Sequence, residues 1–240
     1  MEGIRWDERG RQTRRPMAWD DSGHTLLPWP MTRPLALSSL PLFPLGTVLF
    51  PGGQLSLRVF EVRYLDMVRK CQQAGAPFGV VALRSGDEVR RPGAPQEQFH
   101  DMGTLAVIEQ LASPQSGLIH LQCRGTERFR IQSRSQLPHG LWVADVEQCA
   151  PDQPVAVPAD LERIATALAQ VIAQLRQRDP EFAQALPLPE QLADCGWVAN
   201  RWCELLPVPP ELKQQLMALD NPLLRLELVG DVLDRTGIAP

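Results

Sequence analysis

The sequence predicts an α+β protein, with a β-rich first half carrying one helix and a helical second half. Three observations predict it. Between residues 35 and 150, short apolar runs are cut by turn residues about every ten positions. Within that half, 61–74 instead repeats its apolar residues with a helical period. After Pro151, Pro154 and Pro158 the composition switches to helical stripes.

Residues 1–34 show neither period. They hold six Arg, five acidic residues and Pro16, Pro28, Pro30 and Pro34, and read as a flexible tail, with Met17 or Met31 as alternative starts. A short strand opens at Leu35, and Pro41 and Pro44 argue against a long central strand there. Pro51-Gly52-Gly53 is turn chemistry. Leu55, Leu57 and Val59 alternate with Gln54, Ser56 and Arg58, the pattern of a half-buried strand. In the helix at 61–74, Tyr64, Leu65, Val68 and Cys71 share a face, and Gly75 is its C-cap. Phe78-Gly-Val-Val-Ala-Leu reads as a buried strand and 85–98 as a polar loop. Further strands are expected at 103–111, 118–124, 128–134 and 141–148, which together suggest a small barrel or sandwich.

The prolines of 151–158 mark a linker, and 159–240 reads as a helical subdomain. Leu161, Ile164, Leu168, Val171, Ile172 and Leu175 form one stripe. A second helix is expected at 190–206, burying Leu192, Trp202, Leu205 and Leu206. Pro210 and Pro222 suit first helical positions, and Asn221 suits an N-cap for the stripe Leu223, Leu226, Val229 and Leu233.

A chain of 240 residues can bury a core without disulfides or metal. Its five cysteines, Cys71, Cys123, Cys149, Cys195 and Cys203, are odd in number and form no CxxC, which fits a reducing cytoplasm. No apolar run approaches the ~18 residues of a membrane helix, and the N-terminus lacks a signal peptide's apolar core. The net charge of −4 argues against nucleic acid, as does the balance of eleven basic to ten acidic residues within 35–150.

No catalytic constellation stands out. His24, His100, His120 and His139 are scattered, and His100 and Asp101 are neighbours that a strand would point to opposite faces. Cys71 lies on a buried helical stripe and Cys123 in a β-run, so both read as structural. Asp87 and Glu88 sit beside Arg90 and Arg91 on a loop. Glu61 and Arg63, two residues apart, do not face each other on a helix; docking the helix to the barrel is their expected job. Arg128, Arg130 and Arg134 alternate with Phe129 and Ile131, so one strand face would carry a stripe for an acidic or carboxylate-bearing partner. A solvated strand face is the plainer reading of the same pattern. No cofactor or metal is expected.

The run Leu40-Pro-Leu-Phe-Pro-Leu-Gly-Thr-Val-Leu-Phe-Pro-Gly, then Leu55-Ser-Leu-Arg-Val-Phe-Glu-Val-Arg-Tyr, resembles the start of the N-terminal domain of ATP-dependent Lon proteases. Phe78-Gly-Val-Val, Gly103-Thr-Leu-Ala-Val-Ile, Arg124-Gly-Thr-Glu-Arg-Phe-Arg-Ile and the stretch from Leu205 to Leu219-Asp-Asn-Pro-Leu-Leu-Arg-Leu-Glu follow in the family's order. The resemblance covers about 36–235. It implies a PUA-like β pseudo-barrel followed by a helical bundle, and a role in contacting protein substrates. No GxxxxGK[ST] occurs, neither Lys70 nor Lys213 follows a glycine, and no counterpart of Lon's proteolytic domain follows the bundle.

The expectation is therefore a free-standing, non-catalytic cytoplasmic module. It would bind a protein or unfolded polypeptide, at an apolar surface framed by the loops 46–53 and 85–98. A hydrolase with a site assembled from distant residues, and a small-molecule or RNA binder using a PUA-like cleft, are the alternatives. The oligomeric state is not readable from the sequence.

Overall fold

The computed structural model describes residues 35–238, apart from 90–92, 94 and 179–188. The expected tail at 1–34 lies outside the described residues. The first strand, β1 (Ala36–Leu45), runs straight through both prolines, against expectation. It pairs antiparallel with β6 (Trp142–Gln148) from Ala36 to Leu42, and parallel with β3 (Phe78–Ser85) from Leu42 to Leu45. Pro41 thus faces only β6 in the register, and Pro44 only β3. Each proline has one side without a strand, so a missing N–H breaks no ladder there.

The six strands form one sheet in the order β2-β5-β4-β3-β1-β6, and β5 (Leu118–Gln136) also pairs with β6. That extra pairing closes β5, β4, β3, β1 and β6 into a pseudo-barrel. The remaining strand, β2 (Gln54–Val59), lies outside the ring and, among the described residues, pairs only with the first part of β5. Strand β4 (Gln98–Gln115) and β5 form a long hairpin.

Two expected strands, 118–124 and 128–134, are one. Gly125 looked like a break, but it is a crossing point. A Cβ there would stand 2.4 Å from the Phe50 carbonyl oxygen, and Gly125 N–H donates to the Gly53 carbonyl at 2.8 Å.

Helix α1 (Val62–Ala74) joins β2 to β3 and buries Tyr64, Leu65, Met67, Val68 and Cys71. It ends at Gly75 in the left-handed region (φ 60°), whose N–H caps the last turn. Leu40, Leu42, Val81, Phe99, Leu105, Phe129, Trp142, Ala144 and Val146 fill the barrel. A second core, including Phe43, Phe78, Ile119 and Leu121, lies under α1.

The helices that follow are α2 (Glu162–Arg178), α3 (Cys195–Leu205), α4 (Pro210–Met217) and α5 (Pro222–Thr236). The helix expected at 190–206 is divided: a 3-10 turn (Pro189–Ala193) precedes α3. Asp194 causes the division, because its extended backbone lets the carboxylate accept from Trp197 N–H as an N-cap. Leu192 and Leu205 are consequently only half-buried. Asn221 caps α5 as expected, accepting from the Leu223 and Leu224 N–H groups.

The helices and the barrel share one core. Val48, Phe50, Ala82 and Met102 cluster with Ile164, Leu168, Trp202, Leu216 and Leu226. The proline-rich stretch before α2 is held in place: Val157 N–H donates to the Ala193 carbonyl and Cys195 N–H to the Val155 carbonyl. Among the described residues, no helix is long and apolar enough to cross a membrane.

Candidate recognition site

Four of the barrel strands and the loop before β4 contribute to one pocket. It has a volume of about 390 Å³ and is lined by Arg84 of β3, Gln96 to Phe99, Asp101 of β4, Arg134 of β5 and Trp142 of β6. Its floor is aromatic, with the Phe99 and Trp142 rings edge-to-face at 5.3 Å. The Arg134 guanidinium lies 4.6 Å from the Phe99 ring centre, a cation–π contact. Arg134 also reaches Asp101 at 3.4 Å. Arg84 donates to Nδ1 of His100 at 3.1 Å. Burial first, then the Arg84 charge, hold the His100 imidazole below its ordinary pKa, which suits an accepting nitrogen.

Beneath the pocket sits a buried ion pair. Glu97 Oε1 accepts from both terminal nitrogens of Arg63 at 3.2 Å, and Oε2 accepts from Trp142 Nε1 at 3.4 Å. Burial would raise the Glu97 carboxyl, but its hydrogen bonds and the Arg63 charge outweigh that and hold it low. Arg63 also donates to the Gly140 carbonyl at 2.9 Å and lies over Tyr64, which stacks on Phe43 at 4.0 Å. Arg63 therefore ties α1 to the pocket loop and to the turn before β6. It also bonds Glu61 at 3.2 Å, against the helical spacing rule. Glu61 is the N-cap with an extended backbone (φ −73°, ψ 132°), so that rule does not reach it.

The three arginines expected on one face are not on one face. Between Ile131 and Ser133 the β5–β6 register slips by a residue. The bulge reverses the alternation, so Arg130 stands opposite the exposed Glu147 while Arg134 stands opposite the buried Ala144. Arg134 thereby joins the pocket. Arg128 shares the parity of Arg130, yet it is only 4% exposed because the helices cover that part of the sheet. It donates to the Met217 and Leu219 carbonyls at 3.0 Å and to Asp152 at 3.1 Å. Arg225 of α5 meets the same Asp152 at 2.5 Å and Asn200 at 3.0 Å. A second seam joins Arg201 of α3 to the Pro51 carbonyl at 3.0 Å and to Glu204 at 2.6 Å.

Among the described residues, the loops 46–53 and 85–98 do not frame an apolar groove. Val48, Leu49 and Phe50 turn inward and are buried, and Glu88 accepts from the Gly46 N–H at 2.5 Å, tying one loop to the other. Val89 is a single exposed apolar side chain in the second loop, and the more exposed pair, Phe60 (53% exposed) and Val62 (73% exposed), lies where β2 meets α1. Sequence reasoning missed this pair because it lies at the junction of the strand expected to end at Val59 and the helix expected to begin at Glu61.

The five cysteines are free, and burial pushes every thiol up, those of Cys123 and Cys203 to about 12. Such thiols are poor nucleophiles. Among the described residues, no group of three His, Cys, Asp or Glu side chains is placed to hold a metal ion.

Fold and contacts thus define an α+β domain in which a helical bundle is clamped onto a β pseudo-barrel by buried arginines. The chain belongs to the family described as the ATP-dependent protease La (LON) substrate-binding domain, whose model matches residues 39–235. The crystal structure of a Lon N-terminal domain protein from Xanthomonas campestris is similar at 34% identity and a TM-score of 0.63, covering 80% of this chain and 97% of that one. The N-terminal domain of a Mycobacterium avium complex Lon protease shares the fold at 18% identity, with a TM-score of 0.53 over 83% of this chain and 98% of that one. The Lon protease of Paraburkholderia phytofirmans is 30% identical over 210 residues, 82% of this chain and 25% of that protein. The Lon protease of Anaeromyxobacter dehalogenans is 27% identical over 82% of this chain and 23% of its own length. The chain thus spans about a quarter of the curated relatives it matches, and the matched part is the substrate-binding domain.

Proposed function

We propose that the chain is a non-catalytic, cytoplasmic recognition domain that binds polypeptide clients or a partner protein. The observation that carries this reading is the family match itself, which spans both the pseudo-barrel and the helical bundle. The chemistry agrees with it. The buried charges Arg63, Glu97, Arg128 and Arg225 are all engaged in holding elements together, and the thiols are raised. Exposed Arg130, and Arg134 at the pocket, are the basic side chains offered to a partner; Arg128 serves the seam. The test is a pull-down of an unfolded protein, reduced and carboxymethylated, against the same protein folded. Preferential capture of the unfolded form supports the reading, and equal or absent capture of both overturns it.

The pocket favours a second reading, a small anionic ligand held between Arg84 and Arg134 over Phe99. Arg134→Gln would then abolish binding of that ligand and leave client capture unchanged.

A further inference from the structure

We propose that the outer edge of β2 docks an extended polypeptide segment, which adds to the sheet as a further strand. The proposal rests on the polypeptide-recognition reading above and names where the client sits. Strand β2 stands outside the closed ring and, among the described residues, has β5 as its one neighbour, in an unbroken antiparallel register from Gln54↔Arg124 to Val59↔Ile119. Gly125 N–H donates to the Gly53 carbonyl, which sets the alternation of the ladder. Counting in twos from Gly53, residues 55, 57 and 59 bond to β5, whereas Gln54, Ser56 and Arg58 turn N–H and C=O outward. No backbone hydrogen bond among the described residues meets those outward groups.

The edge has few of the devices that normally block strand addition. It contains no proline, no lysine and no bulge, and Arg58 is its one charge. A row of alternating donors and acceptors is matched by another extended backbone at the ~4.8 Å strand spacing. Such a partner would continue both faces of the sheet. One set of its side chains would lie beside half-buried Leu55 and Leu57, and the other beside Gln54, Ser56 and Arg58. The segment preferred is therefore one of alternating apolar and polar residues, with an acidic residue opposite Arg58 favoured.

Phe60 and Val62 say which occupant fits. They extend the edge past Val59 as an exposed apolar lip. A second copy pairing antiparallel through its own β2, centred on Ser56, would set Phe60 against Gly52 of that copy and leave the lip uncovered. A longer unfolded segment covers edge and lip together.

The test uses the whole chain and a capped, fluorophore-bearing peptide of alternating valine and threonine. Amide exchange at Ser56 and Arg58 is expected to slow at least about tenfold when the peptide is added. Ser56→Pro removes one outward N–H and no bond to β5, and should weaken peptide binding at least about tenfold. Ser56→Ala should bind like the native chain. Exchange slowed only at 97–101, or Ser56→Pro binding undiminished, overturns the proposal. Slowing that appears with protein concentration alone overturns it in favour of a second copy. If Ser56→Pro does not fold, exchange in the unaltered chain decides. Capture of unfolded protein without slowing at Ser56 and Arg58 removes the edge and leaves the function standing; absence of any capture removes both.

Discussion

Asp152 holds two buried guanidinium groups at once, Arg128 from the sheet at 3.1 Å and Arg225 from α5 at 2.5 Å. One carboxylate thereby links barrel to bundle, and the two arginines also donate to the carbonyls of 216, 217 and 219, with Arg225 on the Asn200 side chain and Arg128 3.2 Å from the Asp220 carboxylate. The carboxylate comes from the proline-rich stretch that the sequence marked as a linker.

Asp152→Ala leaves two buried cations with only backbone carbonyls, the Asn200 amide oxygen and the exposed Asp220 carboxylate as partners. Removing one partner from a buried charge cluster costs about 3–5 kcal/mol. In a domain of this size that lowers Tm by about 10 °C. Thermal unfolding followed by circular dichroism measures it; a shift under a few degrees would mean solvent replaces the carboxylate.

Acid should weaken the fold in part through Glu97. Its folded pKa lies below its unfolded value, so the unfolded chain binds the proton more readily as pH falls. The stability it contributes is fully present above the unfolded pKa and is lost as pH drops through the folded one. Glu97→Gln removes that loss. Urea midpoints measured from pH 6 to pH 3 should therefore fall less steeply in the variant, which starts lower at neutral pH.

Gly103 has no room for a methyl group. A Cβ would lie 2.3 Å from the Val80 carbonyl oxygen and 2.7 Å from the Phe129 ring. The carbonyl belongs to the paired strand and cannot rotate aside. Gly103→Ala should cost about 2–3 kcal/mol by overpacking. A urea midpoint unchanged by this substitution would show that β3 and β4 can separate locally.

The thiols offer a map of opening. Cys149 alone keeps partial exposure, while Cys71, Cys123, Cys195 and Cys203 are buried. Native chain mixed with a disulfide reagent at pH 8 should label Cys149 first and the others only as fast as the structure opens. Rapid labelling of Cys123 would contradict a closed core beneath α1.

Much of this architecture was legible in local pattern. The α1 stripe, its Gly75 cap, the Asn221 cap and the buried face of α5 follow from spacing and cap chemistry, which act over a few residues. What misled were features decided at long range. Pro41 and Pro44 fit inside β1 because its partners change between them, and no local pattern records partner exchange. The bulge after Ile131 parts Arg134 from Arg130, although simple alternation places them together. Arg128 has the same pattern as its neighbours and differs only because helices more than eighty residues later cover it. The pocket was illegible for the same reason: its lining comes from four strands and a loop.

The closure of the ring also sets an order in time. Strand β1 is made first, yet its antiparallel neighbour is β6, over a hundred residues later, and β6 must also meet β5. On a ribosome the chain can form the β4–β5 hairpin and α1 early, but β1 waits with one flank bare until Gln148 has emerged. Pairings so distant in sequence are slow to form. The newborn chain therefore passes through a stage in which β1, with Leu40 and Leu42 uncovered, is itself an unfolded segment of the kind assigned here to a client.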